Sequence, residues 1–148
     1  MPSDDVVRDL DRSESRELLR LGVLGRLATA AGGEPDIFPV NYYSDGETVL
    51  VRTAPGTKLL ELTVHDTVAF EIDGFDNLQA WSVVVHGRAH ELQSGAELDE
   101  AERFPLQPWI PTLKYRFVRI SVDRISGKRF LRVPEPDRWP VPQEGSTS

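Results

Sequence analysis

The residues with the clearest chemical potential lie in V-R-T-A-P-G-T-K-L-L-E-L, residues 51–62. The stretch opens with the pattern of a strand and closes with that of a helix. Pro55 and Gly56 fill the two central places of a type II turn between them, and Thr57 has the side chain of an N-cap. Lys58 then sets a cation in the first helical turn, against the positive end of the helix dipole, and Arg52 lies just across the turn. Two cations, the hydroxyls of Thr53 and Thr57 and the free N–H groups of a helix start can hold a phosphate. The same residues can equally form a solvated surface turn, with Arg52 and Lys58 paired to Glu47, Glu61 or Asp66. The spacing is not that of a Walker loop.

Other candidates draw meaning from position. Asn41 and Tyr42 follow Pro39 near the end of one strand, and Trp81 and Ser82 open another. Asn, Ser and backbone groups can satisfy the heteroatoms of a planar ring, while Tyr and Trp supply flat apolar walls; the competing reading makes both aromatics ordinary core or rim residues. His86 and His90, four apart in a strand, share a face but stand about 13 Å from each other, too far for one metal. His65 is isolated and the chain has no cysteine, so no protein-built metal site is expected. No Ser–His–Asp order or G-x-S-x-G elbow supports a hydrolase, and no side chain identifies itself as a general acid or base.

The elements that must position these residues read as follows. Asp11 and Glu14 have capping-box spacing before a short helix at 13–21. Strands are expected at 22–30, 36–43 and 48–53, the first with one face of small residues, joined by polar turns. Pro39 inside the second requires an edge or a bulge there. A helix at 58–64 leads to a fourth strand at 67–73, a loop at 74–79 and a long fifth strand at 80–92. Ser94 and Glu97 cap an acidic helix at 96–104, an extended loop covers 105–111, and strands follow at 115–122 and 124–132. The pattern is mainly β with short helices, six or seven antiparallel strands in a closed or nearly closed barrel. It lacks the strand–helix alternation of a doubly wound parallel sheet. We expect one domain at 1–133 and a flexible, Pro-rich tail at 134–148.

The chain of 148 residues carries a formal net charge of −7. Wholesale attraction to nucleic acid or an anionic membrane is therefore not expected, and an anionic ligand must be held by a local basic patch. The N-terminus lacks the basic and apolar regions of a signal peptide and the apolar runs are too short to span a bilayer, so a cytoplasmic protein is expected.

Together, G-R-L-A-T-A-A-G-G-E-P-D-I-F-P-V-N-Y, V-R-T-A-P-G-T-K-L, A-W-S-V-V-V-H-G-R-A, P-W-I-P and Y-R-F-V-R-I resemble the pyridoxamine 5′-phosphate oxidase-like flavoproteins, most of all their small actinobacterial and nitroimidazole-resistance-type members. The resemblance runs from about residue 15 to 132. It implies an FMN-binding split β-barrel, a homodimer with flavin at the subunit interface, and FMN-dependent oxidoreduction of a small organic substrate. It also implies phosphate contacts at Arg52, Thr53, Thr57 and Lys58, a strand beside the flavin ring at Pro39, Val40, Asn41 and Tyr42, a further contact strand at Trp81, Ser82 and Val83, and Trp109 contributed by the partner. Some relatives bind a deazaflavin or haem; deazaflavin stays open, and no histidine is placed as a haem ligand. The Arg-rich C-terminal motif that binds substrate phosphate in true pyridoxamine phosphate oxidases is missing from 133–148, which argues against that substrate. A flavin-binding module without turnover, or a barrel without cofactor, remain the rival classes.

Overall fold

The computed structural model of the chain describes residues 6–63, 67–106 and 116–132. Seven antiparallel strands order as β1-β7-β4-β3-β2-β5-β6, and β6 also pairs with β7. Six strands thus close a barrel, and β1 (Val7–Leu10) extends the sheet beyond β7. The strands are β2 (Leu24–Thr29), β3 (Asp36–Ser44), β4 (Thr48–Thr53), β5 (Thr67–Phe75), β6 (Gln79–Glu91) and β7 (Arg116–Leu131). The helices are α1 (Arg12–Leu21), α2 (Lys58–Thr63) and α3 (Gly95–Glu102). The mainly β barrel expected from the sequence is the fold observed.

Local signals account for the helices. Asp11 accepts a hydrogen bond from the Glu14 N–H at 2.8 Å and Glu14 Oε1 accepts one from the Asp11 N–H, the full capping box. Ser94 Oγ accepts from the Glu97 N–H at the start of α3.

Inward-facing residues of the six barrel strands fill it: Leu27, Val49, Val51, Phe70, Val83, Val85, Val118 and Ile120 are fully buried, and β3 adds Val40 and Tyr42. Leu19 of α1 plugs one end and Leu59 of α2 joins the same core. The small face of β2 has a definite task, because a Cβ on Gly25 would lie 2.3 Å from the Phe70 ring. A second cluster lies outside the barrel, where α3 and the residues after it cover Leu50 and Phe117 with Leu92, Ala101 and Leu106, and Phe104 stacks on Tyr43 at 4.4 Å.

Three expectations change. The two strands at 115–122 and 124–132 are one strand, β7, carrying a bulge: His86 opposes Arg124 and Gly87 opposes Val122, leaving Asp123 as the extra residue. The 74–79 loop is shorter, because Gly74 and Phe75 continue β5 and Asp76 turns the chain by accepting from the Leu78 and Gln79 N–H groups. β1 was not expected; four residues pair only with the far end of β7, Val7 opposite Phe130 and Leu10 opposite Gly127. The segment 134–148 lies outside the described residues.

Candidate functional site

The barrel opens along a seam between β3 and β4. Their ladder covers only Tyr42–Ser44 and Val49–Val51; among the described residues the lower half of β3, Asp36 to Asn41, pairs with β2 alone. The Tyr42 N–H donates to the Val23 carbonyl. Backbone direction alternates along an antiparallel strand, so Val40 and Phe38 also face β2, while Ile37, Pro39 and Asn41 turn their backbone groups to the seam. This is how a proline sits within β3 without breaking its ladder: the N–H it lacks would have pointed into the opening. The expected edge exists, but only locally.

On the other side of the seam stand Arg52, Thr53 and the turn that follows. Gly56 has φ 74°, as a type II turn requires. Thr57 caps α2 by accepting from the Leu60 N–H at 3.3 Å, donates to the Ala54 carbonyl, and lies 3.0 Å from the Thr53 hydroxyl. Lys58 reaches across the seam to Asp36, Nζ to Oδ1 3.2 Å, with its side chain 61 % exposed. Asp36 was not among the partners expected for Lys58. The dipole argument also weakens, since α2 is only six residues long.

Arg52 departs further from expectation. It donates to the Leu106 carbonyl at 2.6 Å, lies 3.7 Å from Glu102 and stacks over Phe117. Its guanidinium is directed to α3 and β7 while Lys58 is directed to β3, so the two cations do not converge. Lys58 is the cation at the seam; Arg52 anchors α3.

The remaining sequence candidates divide by the face they occupy. Pro39 and Asn41 face outward at the seam. Val40, Tyr42 and Val83 are core residues, so only their backbones could meet a ligand outside the barrel. The Tyr42 ring is not an exposed flat wall: it packs edge-on to Phe70 at 4.9 Å and donates to the Leu19 carbonyl at 2.6 Å. Burial pushes its phenol well above the ordinary tyrosine value, more strongly than a backbone hydrogen bond at Gly22 pulls it down. Trp81 lies against Gly74, where a Cβ would come within 2.6 Å of the indole. Ser82 faces outward between Asp73 and Lys128. Because β6 is three strands from β3 in a ring of six, Trp81 and Ser82 lie on the opposite side of the barrel from the seam. Trp109 lies outside the described residues.

Two features were invisible in the sequence. Arg26 bridges Glu71 (3.1 Å) and Asp73 (3.0 Å) across two strands; burial and then the neighbouring Asp73 raise the Glu71 pKa, and Arg26 opposes them. Leu21, Val23, Leu24 and Ile37 are exposed apolar side chains, and Ile37, 64 % exposed, stands on the part of β3 that borders the seam. Among the described residues no cluster of histidine and carboxylate ligands could hold a metal, and no helix is long and apolar enough to cross a membrane.

A six-strand antiparallel barrel opened at one seam, with backbone groups and a lysine lining the opening, is a split β-barrel. A family model for pyridoxamine 5′-phosphate oxidase matches residues 11–129, and the chain belongs to that family. The chain is similar to a Corynebacterium glutamicum structure described as a candidate pyridoxamine 5′-phosphate oxidase, with 39 % identity, TM-score 0.81, and 88 % of this chain and 97 % of the other covered. It is similar to the FAD binding protein of Mycobacterium smegmatis, with 40 % identity, TM-score 0.76, and coverage of 84 % and 98 %. Protein Rv3129 of Mycobacterium tuberculosis is 46 % identical over 93 residues, 63 % of this chain and 84 % of that protein.

Proposed function

We propose that the protein is a flavin-dependent oxidoreductase that holds its cofactor at the seam between β3 and β4 and acts on a small organic substrate. The observation that carries this reading is the incomplete β3–β4 ladder. Among the described residues it leaves the backbone groups of Ile37 and Pro39 without a strand partner on that side, beside a lysine that already spans the opening. Polar groups of this kind are normally hydrogen-bonded, and a ring with alternating donors and acceptors would satisfy them. Lys58, with the Thr53 and Thr57 hydroxyls, would hold the phosphate, exchanging Asp36 for it. Family membership and the similarity to an FAD binding protein support the same reading.

When bound, the flavin supplies hydride and electron transfer. The protein would bind and orient it: Lys58 would neutralise the phosphate, Asn41 and the β3 backbone would face the ring, and Ile37 would help to exclude water. None of the described side chains is assigned as a proton donor or acceptor in turnover.

The cofactor is FMN in this reading. FAD is the second reading, because a relative 40 % identical is an FAD binding protein; a deazaflavin is the third. The site is shared by two copies in a homodimer. The seam and the Trp81–Ser82 pair lie on opposite sides of one barrel, so a single ligand touches both sets only if each comes from a different copy. The exposed Ile37 beside the seam gives such a contact an apolar border.

Purification from cells, followed by acid release and chromatography against FMN, FAD and deazaflavin standards, tests the cofactor. A colourless protein that takes up no flavin refutes the proposal. Steady-state reduction with a nicotinamide donor, screened against quinones and nitro compounds, separates an enzyme from a flavin-binding module.

A further inference from the structure

The outer face of β5, β6 and β7 carries a groove of about 530 Å³, of which the flavin reading uses only Trp81 and Ser82. One register row sets its walls: Phe75 opposes Ala80, and Ala80 opposes Phe130. Side chains opposite one another point to the same face, and adjacent strands lie about 4.8 Å apart. The two phenylalanine side chains therefore leave the sheet roughly 10 Å apart, with only a methyl group between them. Carbon atoms in contact sit about 3.5–4 Å apart, so a gap of this width admits one flat ring with a face against each wall.

Charge distinguishes the two ends of the groove. At the inner end, Asp73 is already bonded to Arg26 at 3.0 Å. At the outer end, the Arg132 guanidinium lies 5.2 Å over the Phe75 ring and, among the described residues, donates to the Asp76 carbonyl at 2.7 Å. The Asp76 side chain accepts the two turn N–H groups of Leu78 and Gln79, which hold its pKa below the usual carboxylate value. Among the described residues Arg132 makes no salt bridge, and a guanidinium carries five N–H donors in a fork that fits a carboxylate. The Arg132 N–H also ties to the Leu78 carbonyl at 2.8 Å, so the cation stands on a braced hairpin end. Phe75 is 74 % exposed on the same hairpin.

We propose that this slot binds a small aromatic carboxylate, its ring between Phe75 and Phe130 and its carboxylate on Arg132. The inference deepens the flavin reading by naming the class of substrate for a site bordered by Trp81 and Ser82, and in that placement rests on it; the binding itself requires no flavin.

The test is calorimetric titration of the flavin-free protein with naphthalene-2-carboxylate and with its uncharged counterpart, naphthalene-2-methanol. The acid should bind at least about tenfold more tightly, the range of a charge-assisted contact. Arg132→Gln should abolish that difference while leaving the alcohol's affinity unchanged. Phe130→Leu should weaken both ligands about tenfold and leave flavin content intact. Amide shifts at Ala80 and Ser82 in the wild-type protein provide a readout independent of either variant's folding. Absence of saturable binding, equal affinity for acid and alcohol, or shifts confined to other residues would overturn the proposal. Loss of flavin from a folded Phe130→Leu protein would also overturn it, by assigning the slot to the flavin ring. A protein that binds naphthoate here and never binds flavin would refute the cofactor reading alone.

Discussion

Replacing Lys58 with alanine separates a phosphate site from a surface turn, and the structure sets the magnitudes. The Lys58 side chain is 61 % exposed and its partner is a single carboxylate. An ion pair this open contributes less than about 1 kcal/mol to stability, so the apo-protein should melt within about 4 °C of wild type. The FMN phosphate would engage the same ammonium at a seam closed by bound ligand. A charge-assisted contact of that kind contributes roughly 1.5–3 kcal/mol, so FMN affinity should fall about tenfold to a hundredfold while riboflavin, lacking the phosphate, is unaffected. Asp36 supplies the reciprocal test. A carboxylate about 7 Å from a phosphate repels it by ~0.6 kcal/mol per charge in a water-like dielectric. Asp36→Asn should therefore raise FMN affinity about threefold to tenfold, again without altering riboflavin. The assay is fluorescence titration of each apo-variant with both flavins. Equal losses for the two flavins in Lys58→Ala, or a fall in FMN affinity in Asp36→Asn, would remove the phosphate from this turn.

Gly87→Ala should be strongly destabilising, by about 1–3 kcal/mol or more, because a Cβ there would lie 1.8 Å from the Ser121 carbonyl at the β7 bulge; a urea melt with an unchanged midpoint would refute the close approach. Tyr42 is protonated in the fold beyond the pH at which an unfolded tyrosine ionises, near 10. Its contribution to stability is full below that pH and is lost as pH rises toward the folded value. Alkaline titration followed by ultraviolet absorbance should show a tyrosine ionisation that appears only on unfolding, and a Tyr42→Phe protein should lack that component. Truncation after Val133 should leave flavin content unchanged, since 134–148 is rich in proline and polar residues; loss of most flavin would show that the tail closes the site.

Most of the strands and all three helices were legible because their signals are local. Alternation, capping boxes and the Pro-Gly turn act within a few residues, and β2, β3, β4 and α1 fall within one or two residues of expectation. β1 escaped because V-R-D-L is short and half charged, and only its pairing with Gly127–Phe130 makes it a strand. β7 read as two strands because Asp123 interrupts the pattern between 115–122 and 124–132; the long ladder with β6 absorbs it as a single bulge. The site was legible in composition and not in direction. Arg52 and Lys58 are six apart in sequence, yet one is directed toward Leu106 and the other toward Asp36, contacts that depend on cross-strand register. Tyr42 could be placed on the right strand, but its burial comes from packing edge-on to Phe70 of β5, a neighbour that no local pattern reveals. The Phe75–Ala80–Phe130 row joins three strands, and no stretch of sequence contains it.

The central claim, a flavin held at the seam and completed by a second copy, is tested most directly by sedimentation velocity recorded at both 280 nm and the flavin absorbance band. The account predicts that flavin absorbance sediments only with the mass of two chains, one flavin per chain, and that dilution to monomer releases it. Flavin that remains bound to a sedimenting monomer would contradict the shared site.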